Sequence, residues 1–132
     1  MHAQPATLAR PDLQPHERAV RTPLPDLVRE LVGLIGKKLT AYVGGVKDTR
    51  TVDGWINRAQ PYGDDTERRL RCAFHVAAFL AQYDAPPVIQ AWLTGLNPQL
   101  GDRSPLQLLR DGTPEEEGRA VLAAARAFAV GG

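Results

Sequence analysis

"LTAYVGGVKDTRTVDGWINR", residues 39–58, decides how the rest of the chain is read. Leu39, Tyr42 and Val43 recur at the spacing of one helical face, and Gly44 and Gly45 end that helix in a turn. Beyond the turn, Val52, Trp55 and Ile56 share a second helical face, which leaves Thr49, Arg50, Asp53, Gly54 and Asn57 pointing outward. Two helices joined by a glycine turn, the second carrying short polar side chains, make a helix-turn-helix whose second helix enters the DNA major groove. In that reading Arg50 offers a planar fork to guanine, Asn57 can bond adenine, and Lys47, Thr49 and Thr51 suit phosphates. Asp53 lies on the same outward face, and Arg58 closes the segment with a third positive charge. Against this, Asp48 and Asp53 repel phosphates, and the turn is about one residue longer than in the commonest repressors. A plain helical hairpin stays open as the alternative.

Upstream, Leu27, Leu31, Leu34 and Ile35 predict an amphipathic helix starting near Pro23, with Pro25 and Asp26 suited to its first turn and Gly36 interrupting it. Residues 1–22 hold prolines at 5, 11 and 15 with no sustained pattern, and read as a flexible proline-rich tail. Downstream, "QPYGDD" is a turn, and Asp65 or Thr66 is expected to cap a central helix built on Leu70, Ala73, Phe74, Ala77, Leu80 and Ala81. "DAPP" breaks that helix, residues 88–93 form a short one, and "GLNPQLGDRSP" is a loop rich in turn residues. Pro105 starts a short helix over 106–110. Thr113 and Pro114 open a last one whose first turn is acidic. No stretch reads as a strand. The expected fold is all-α and compact, with a helix-turn-helix region at 23–62 and a small helical C-terminal domain at 63–132.

The chain has 132 residues, enough for one domain or two very small ones, and 43% hydrophobic residues can supply a core. One cysteine, Cys72, excludes an internal disulfide framework and fits a reducing cytoplasm. No apolar run approaches the roughly 20 residues that cross a bilayer, and no signal peptide is seen, so neither secretion nor a membrane is expected. The net charge of +1 hides an asymmetry: residues 37–71 carry eight basic against five acidic side chains, and residues 72–132 carry four against six. One half suits a polyanion and the other a different partner.

Chemistry for catalysis is thin. His2, His16 and His75 are far apart and give no metal-ligand spacing. Cys72 and His75 are helical neighbours, but a working dyad needs a cleft that nothing else signals. The acidic run at 115–117 balances a helix dipole, and "GGVKDTRT" lacks the full phosphate-loop pattern. No catalytic residue, metal or cofactor is expected.

"AWLTGLNPQLGDRSPLQLLRDG", residues 91–112, resembles the signature of the Xre/MbcA/ParS family of bacterial antitoxins. In that family Trp-Leu, Asn-Pro, Leu-Gly, Ser-Pro and a later Leu-Leu-x-x-Gly recur in this order. Here they are Trp92 and Leu93, Asn97 and Pro98, Leu100 and Gly101, Ser104 and Pro105, then Leu108, Leu109 and Gly112. The segment at 39–58 is similar to the helix-turn-helix that often precedes this domain, so the resemblance covers residues 23–130. As residues, these positions build shape: Asn97 and Pro98 make a turn, Gly101 permits a positive φ, and Ser104 caps a helix.

The resemblance implies an antitoxin whose N-terminal helices bind operator DNA, repressing its own operon, and whose C-terminal domain neutralises a toxin. The toxin expected is of the RES-domain type that consumes nicotinamide adenine dinucleotide, with the antitoxin's C-terminal region blocking the entrance to its active site. Arg119, Arg126, Phe128, Val130, Gly131 and Gly132 are the residues expected to touch it. A reader of this size is expected to work as a homodimer or a higher even oligomer. The alternatives are a helical interaction or adaptor module, and a stand-alone regulator with no toxin partner.

Overall fold

The computed structural model describes residues 13–131, and these are almost wholly helical, in agreement with the all-α expectation. Seven α-helices are described: α1 (Leu13–Arg21), α2 (Leu24–Gly44), α3 (Thr49–Ile56), α4 (Asp64–Leu80), α5 (Pro86–Thr94), α6 (Pro105–Asp111) and α7 (Pro114–Gly131). A 3-10 turn at Pro98–Leu100 lies between α5 and α6.

The expected break in α2 is a sharp kink. Gly36 has φ 86° and ψ 163°, outside helical geometry, so residues 24–35 and 37–44 run as separate segments. The buried Thr40 steadies the bend, its hydroxyl donating to the Gly36 carbonyl at 2.8 Å. Pro25 sits in the first turn, where its missing N–H costs nothing.

The central helix is α4. Its Leu70, Ala73, Phe74, Ala77 and Leu80 are buried as expected, and so are Val76, Ala78 and Phe79 on the remaining sides. Over residues 73–80 the helix is apolar on nearly every side, and such a stretch must be surrounded. It packs against α1, α2, α6 and α7. It stops at Leu80, leaving Ala81 as an exposed cap residue rather than a core one. Neither Asp65 nor Thr66 caps its start: Gly63 holds the cap position with no side-chain bond, and the Thr66 hydroxyl donates instead to the Gly44 carbonyl at 3.2 Å. Leu27, Val28, Leu31 and Ile35 of α2 join Ile89 and Leu93 of α5, Leu106 and Leu109 of α6 and Val121 of α7 in one continuous cluster. Residues on both sides of position 62 therefore share a core.

The proline-rich tail reading is corrected for residues 13–22. Residues 1–12 lie outside the described residues. From Leu13 the chain forms α1, with Pro15 in its first turn, where proline is tolerated, and Ala19 buried. Arg71 of α4 holds this helix in place: its Nη1 donates to the carbonyls of Ala19 at 2.9 Å and Thr22 at 2.8 Å. Arg18 adds a contact over the Phe74 ring at 5.2 Å and an ion pair with Glu30. The chief anchor of the helix, Arg71, lies about fifty residues away, which local pattern does not display.

Candidate nucleic-acid interface and C-terminal groove

Residues 37–44 end in a motif that local sequence dictates. Gly45 adopts the left-handed region at φ 85°, its N–H donates to Tyr42 at 3.1 Å, and the Val46 N–H donates to Ala41 at 2.9 Å. These are the two reverse bonds that close a helix C-terminus, with Val46 packing back against the core. The last carbonyls are met from α4. Arg69 Nε donates to Val43 and Nη2 to Gly44, each at 3.0 Å.

Asp48 caps α3, its carboxylate accepting from the Arg50 N–H at 2.8 Å. Val52 and Trp55 are buried and Ile56 is partly buried against them, as expected. Trp55 Nε1 donates to the Pro61 carbonyl at 3.3 Å, which fixes the chain leaving the helix.

The outward face differs from expectation in three ways. First, α3 ends at Ile56: Asn57 is its cap, and Arg58 has turned into the left-handed region at φ 62° while the Ala59 N–H returns to Gly54 at 2.8 Å. Asn57 and Arg58 are exposed but lie past the helix, off the regular face. Second, Gly54 is covered, since the Gln60 side chain occupies the space a Cβ would take. Third, two charges on this face are already paired. Arg50 folds back on Asp48, with Nη2 at 2.6 Å and Nε at 2.9 Å from Oδ2, and Lys37 Nζ lies 2.8 Å from Asp53 Oδ1. The Arg50 hydrogen bonds hold the Asp48 carboxyl below its ordinary value and raise Arg50 in turn. Thr49 and Thr51 are half-buried, and Lys47 is exposed.

The positive balance of residues 37–71 is thus partly used inside the fold. Arg69 and Arg71 serve backbone carbonyls, and Arg68 pairs with Asp65. Lys38, Lys47 and Arg58 have no ion-pair partner among the described residues.

The turn residues of the segment at 91–112 build the shape their chemistry predicts. Asn97 Oδ1 accepts from the Gln99 N–H at 2.9 Å, Gly101 has φ 67°, and Ser104 Oγ accepts from the Gln107 N–H at 3.1 Å as the cap of α6. Asp102 shares the left-handed conformation at φ 60°, and the Asn97 N–H closes the loop onto the Arg103 carbonyl at 3.1 Å. This loop forms one wall of a groove. The opposite wall is α7, through Ala124, Ala127, Phe128 and Gly131, and Trp92 meets Phe128 with ring centroids 5.9 Å apart.

Of the expected partner-contacting residues, Phe128 and Gly131 line this groove. Arg119 and Arg126 are exposed and stand about 180° and 160° around α7 from Phe128 by helical spacing, so one surface cannot engage all three through the groove. Val130 is 88% exposed, and Gly132 lies outside the described residues. Trp92, Asn97, Pro98, Gln99, Ala124 and Ala127 complete the groove and are not among the expected contacts. The spacing of Ala124, Ala127, Phe128 and Gly131 along one helical stripe is the signal that finds these four members.

The surroundings of Cys72 favour its neutral thiol. The Cys72 Sγ faces the Pro114 carbonyl at 3.8 Å, and burial, with the Glu115 charge adding to it, pushes the thiol up to about 11. An activated cysteine needs the opposite shift. His75 is half-buried beside His16, ring centroids 5.3 Å apart. Among the described residues no group of three His, Cys, Asp or Glu side chains is arranged to hold a metal, and no helix is long and apolar enough to cross a membrane.

Comparison of the chain with known protein families, with curated proteins and with solved structures finds no match.

Proposed function

We propose that this protein is an antitoxin that acts by binding rather than by catalysis, in the cytoplasm, with two working surfaces. The groove between the 97–101 loop and α7 receives a toxin of the RES type, and the face around α3 holds operator DNA, with the chain paired as a homodimer or higher even oligomer. The observation that carries the reading is the convergence of two separate stretches: Trp92, Asn97 and Pro98 of the signature-like segment share a groove with Phe128 and Gly131 near the C-terminus. An apolar floor with aromatic anchors and small residues is the kind of surface on which a partner buries its own side chains. Co-expression with the product of the adjacent gene in a growth test decides the matter. Protection by the wild-type chain, weakened by Phe128→Ala, supports the reading; equal growth with and without the chain sinks it.

A specific observation favours a second reading, an adaptor or interaction module that does not read DNA. Arg50 and Asp53, both on the expected reading face, are each engaged by an opposite charge of the same chain. A salt-dependent mobility shift with promoter DNA separates the two readings.

A further inference from the structure

Two of the three cations near α3 without an ion-pair partner among the described residues, Lys38 and Lys47, share a groove, while Arg58 lines another. Lys38, on the second segment of α2, and Lys47, in the turn before α3, line one groove together with Arg110 of α6. Ala41, Tyr42 and Val46 make its apolar floor, and Thr49 and Asp48 stand at the end where α3 begins. The Asp48 carboxylate is occupied by the Arg50 guanidinium and N–H, so its charge is largely answered. Arg110 is held in position: its Cζ lies 4.7 Å from the centre of the Tyr42 ring, and its ion pair with Asp111 is at the outer limit of pairing at 3.9 Å. A guanidinium stacked on an aromatic face keeps its donors free to point elsewhere.

We propose that Lys38, Lys47 and Arg110 form a seat for a backbone phosphate of DNA, so that the C-terminal half of the chain grips the duplex directly. The proposal rests on the DNA-binding part of the function proposed above and extends it, since Arg110 belongs to the signature-like segment and not to the helical pair at 37–56. Three cations, from α2, the turn before α3 and α6, converge on a concave surface beside the N-terminal end of α3. A duplex laid against α3 brings a phosphate strand past this groove. A contact of this class carries no sequence information, so it adds affinity equally on every sequence.

The test uses the full chain and a mixed-sequence DNA duplex, with binding followed from about 50 to 200 mM salt. Arg110→Ala is expected to lower the log–log salt slope by about 1, and Lys38→Ala with Lys47→Ala to lower it by about 2. Lys38 and Lys47 are exposed, so the lysine pair reports even if Arg110→Ala disturbs the fold. Arg29→Ala, on the first segment of α2, is expected to leave the slope unchanged. Inorganic phosphate at matched ionic strength is expected not to compete; competition would assign the seat to a free anion and overturn the proposal. Wild-type binding with an unchanged slope in both variants would remove the seat and leave the DNA reading standing. Absence of salt-dependent binding by the wild type would remove both.

Discussion

The Trp55 indole lies directly on Gly44, with its Cη2 2.7 Å from the place a Cβ at position 44 would occupy. This approach sets the distance between the second segment of α2 and α3, because Trp55 is buried and further tied to Pro61. Gly44→Ala therefore forces the indole or the whole of α3 outward. The expected cost is about 1 to 3 kcal/mol, as for other overpacked sites, read from urea unfolding. A variant as stable as wild type would show that the helical pair is loosely packed.

The second prediction concerns Arg71, whose guanidinium meets the Ala19 and Thr22 carbonyls and, through Nε, Glu67 Oε2 at 2.8 Å. Arg71→Ala leaves those carbonyls without their charged donor. The docking of α1 is expected to weaken by about 1.5 to 3 kcal/mol. Hydrogen exchange reads this locally: amides of Leu13–Arg21 should lose protection while those of α4 keep theirs. Equal loss in both helices would mean that α1 is an inseparable part of the core.

These two sites also show what the sequence could and could not disclose. The Gly36 break, the Gly45 turn, the Asn97 turn and the Ser104 cap are local chemistry, encoded within a few residues of where they act. All are legible from spacing and residue type. Arg69 and Arg71 read as surface charge because their acceptors are carbonyls 26 and 52 residues away, and carbonyls leave no mark in a sequence. The same holds for the C-terminal groove: Phe128 is visible as an aromatic near the end of a helix, but its neighbour Trp92 is brought to it only by the folding of α5 against the rest. The end of α3 at Ile56 escaped notice because Arg58 takes a left-handed conformation that residue type does not favour.

Cys72 supplies a pH prediction. Its thiol is raised from the ordinary 9.0 to about 11, chiefly by burial. A raised value in the folded state means the neutral thiol is favoured there, so this contribution to stability is complete below pH 9.0 and disappears as pH rises through about 11. Near neutral pH the folded thiol should react with an alkylating reagent far more slowly than the unfolded one. Similar rates in both states would contradict a buried Sγ. Gly118 guards the same atom, since a Cβ there would sit 2.5 Å from it.

Partner binding is best tested by one side chain. Removing residues 115–132 would strip Val121, Ala124 and Ala125 from the shared core, so a truncated chain would fail for lack of a fold. Phe128 is only partly buried and packs at the edge of the cluster. Phe128→Ala is expected to cost at least about 2 kcal/mol in toxin binding if the ring fills a partner's pocket, while helical content by circular dichroism stays close to wild type. Full-strength binding by this variant, measured calorimetrically, would move the toxin contact to the Arg119 and Arg126 side of α7.

The last prediction turns on the clasp between Asp48 and Arg50. Asparagine is as good a helix cap as aspartate, so Asp48→Asn preserves α3 but removes a negative charge and frees the Arg50 guanidinium. If α3 reads the major groove, this variant should bind promoter DNA more tightly than wild type. Arg50→Ala should bind it more weakly, by about 1 to 3 kcal/mol, and lose preference at one base pair. Lys47→Ala, which removes a phosphate contact, should instead weaken every sequence alike. The opposite signs at positions 48 and 50 matter because a merely structural clasp predicts something else: both changes would then loosen the start of α3 and lower affinity together. Titrations of the three variants against promoter and scrambled duplexes distinguish the cases, and unchanged affinity at position 50 would favour the adaptor reading.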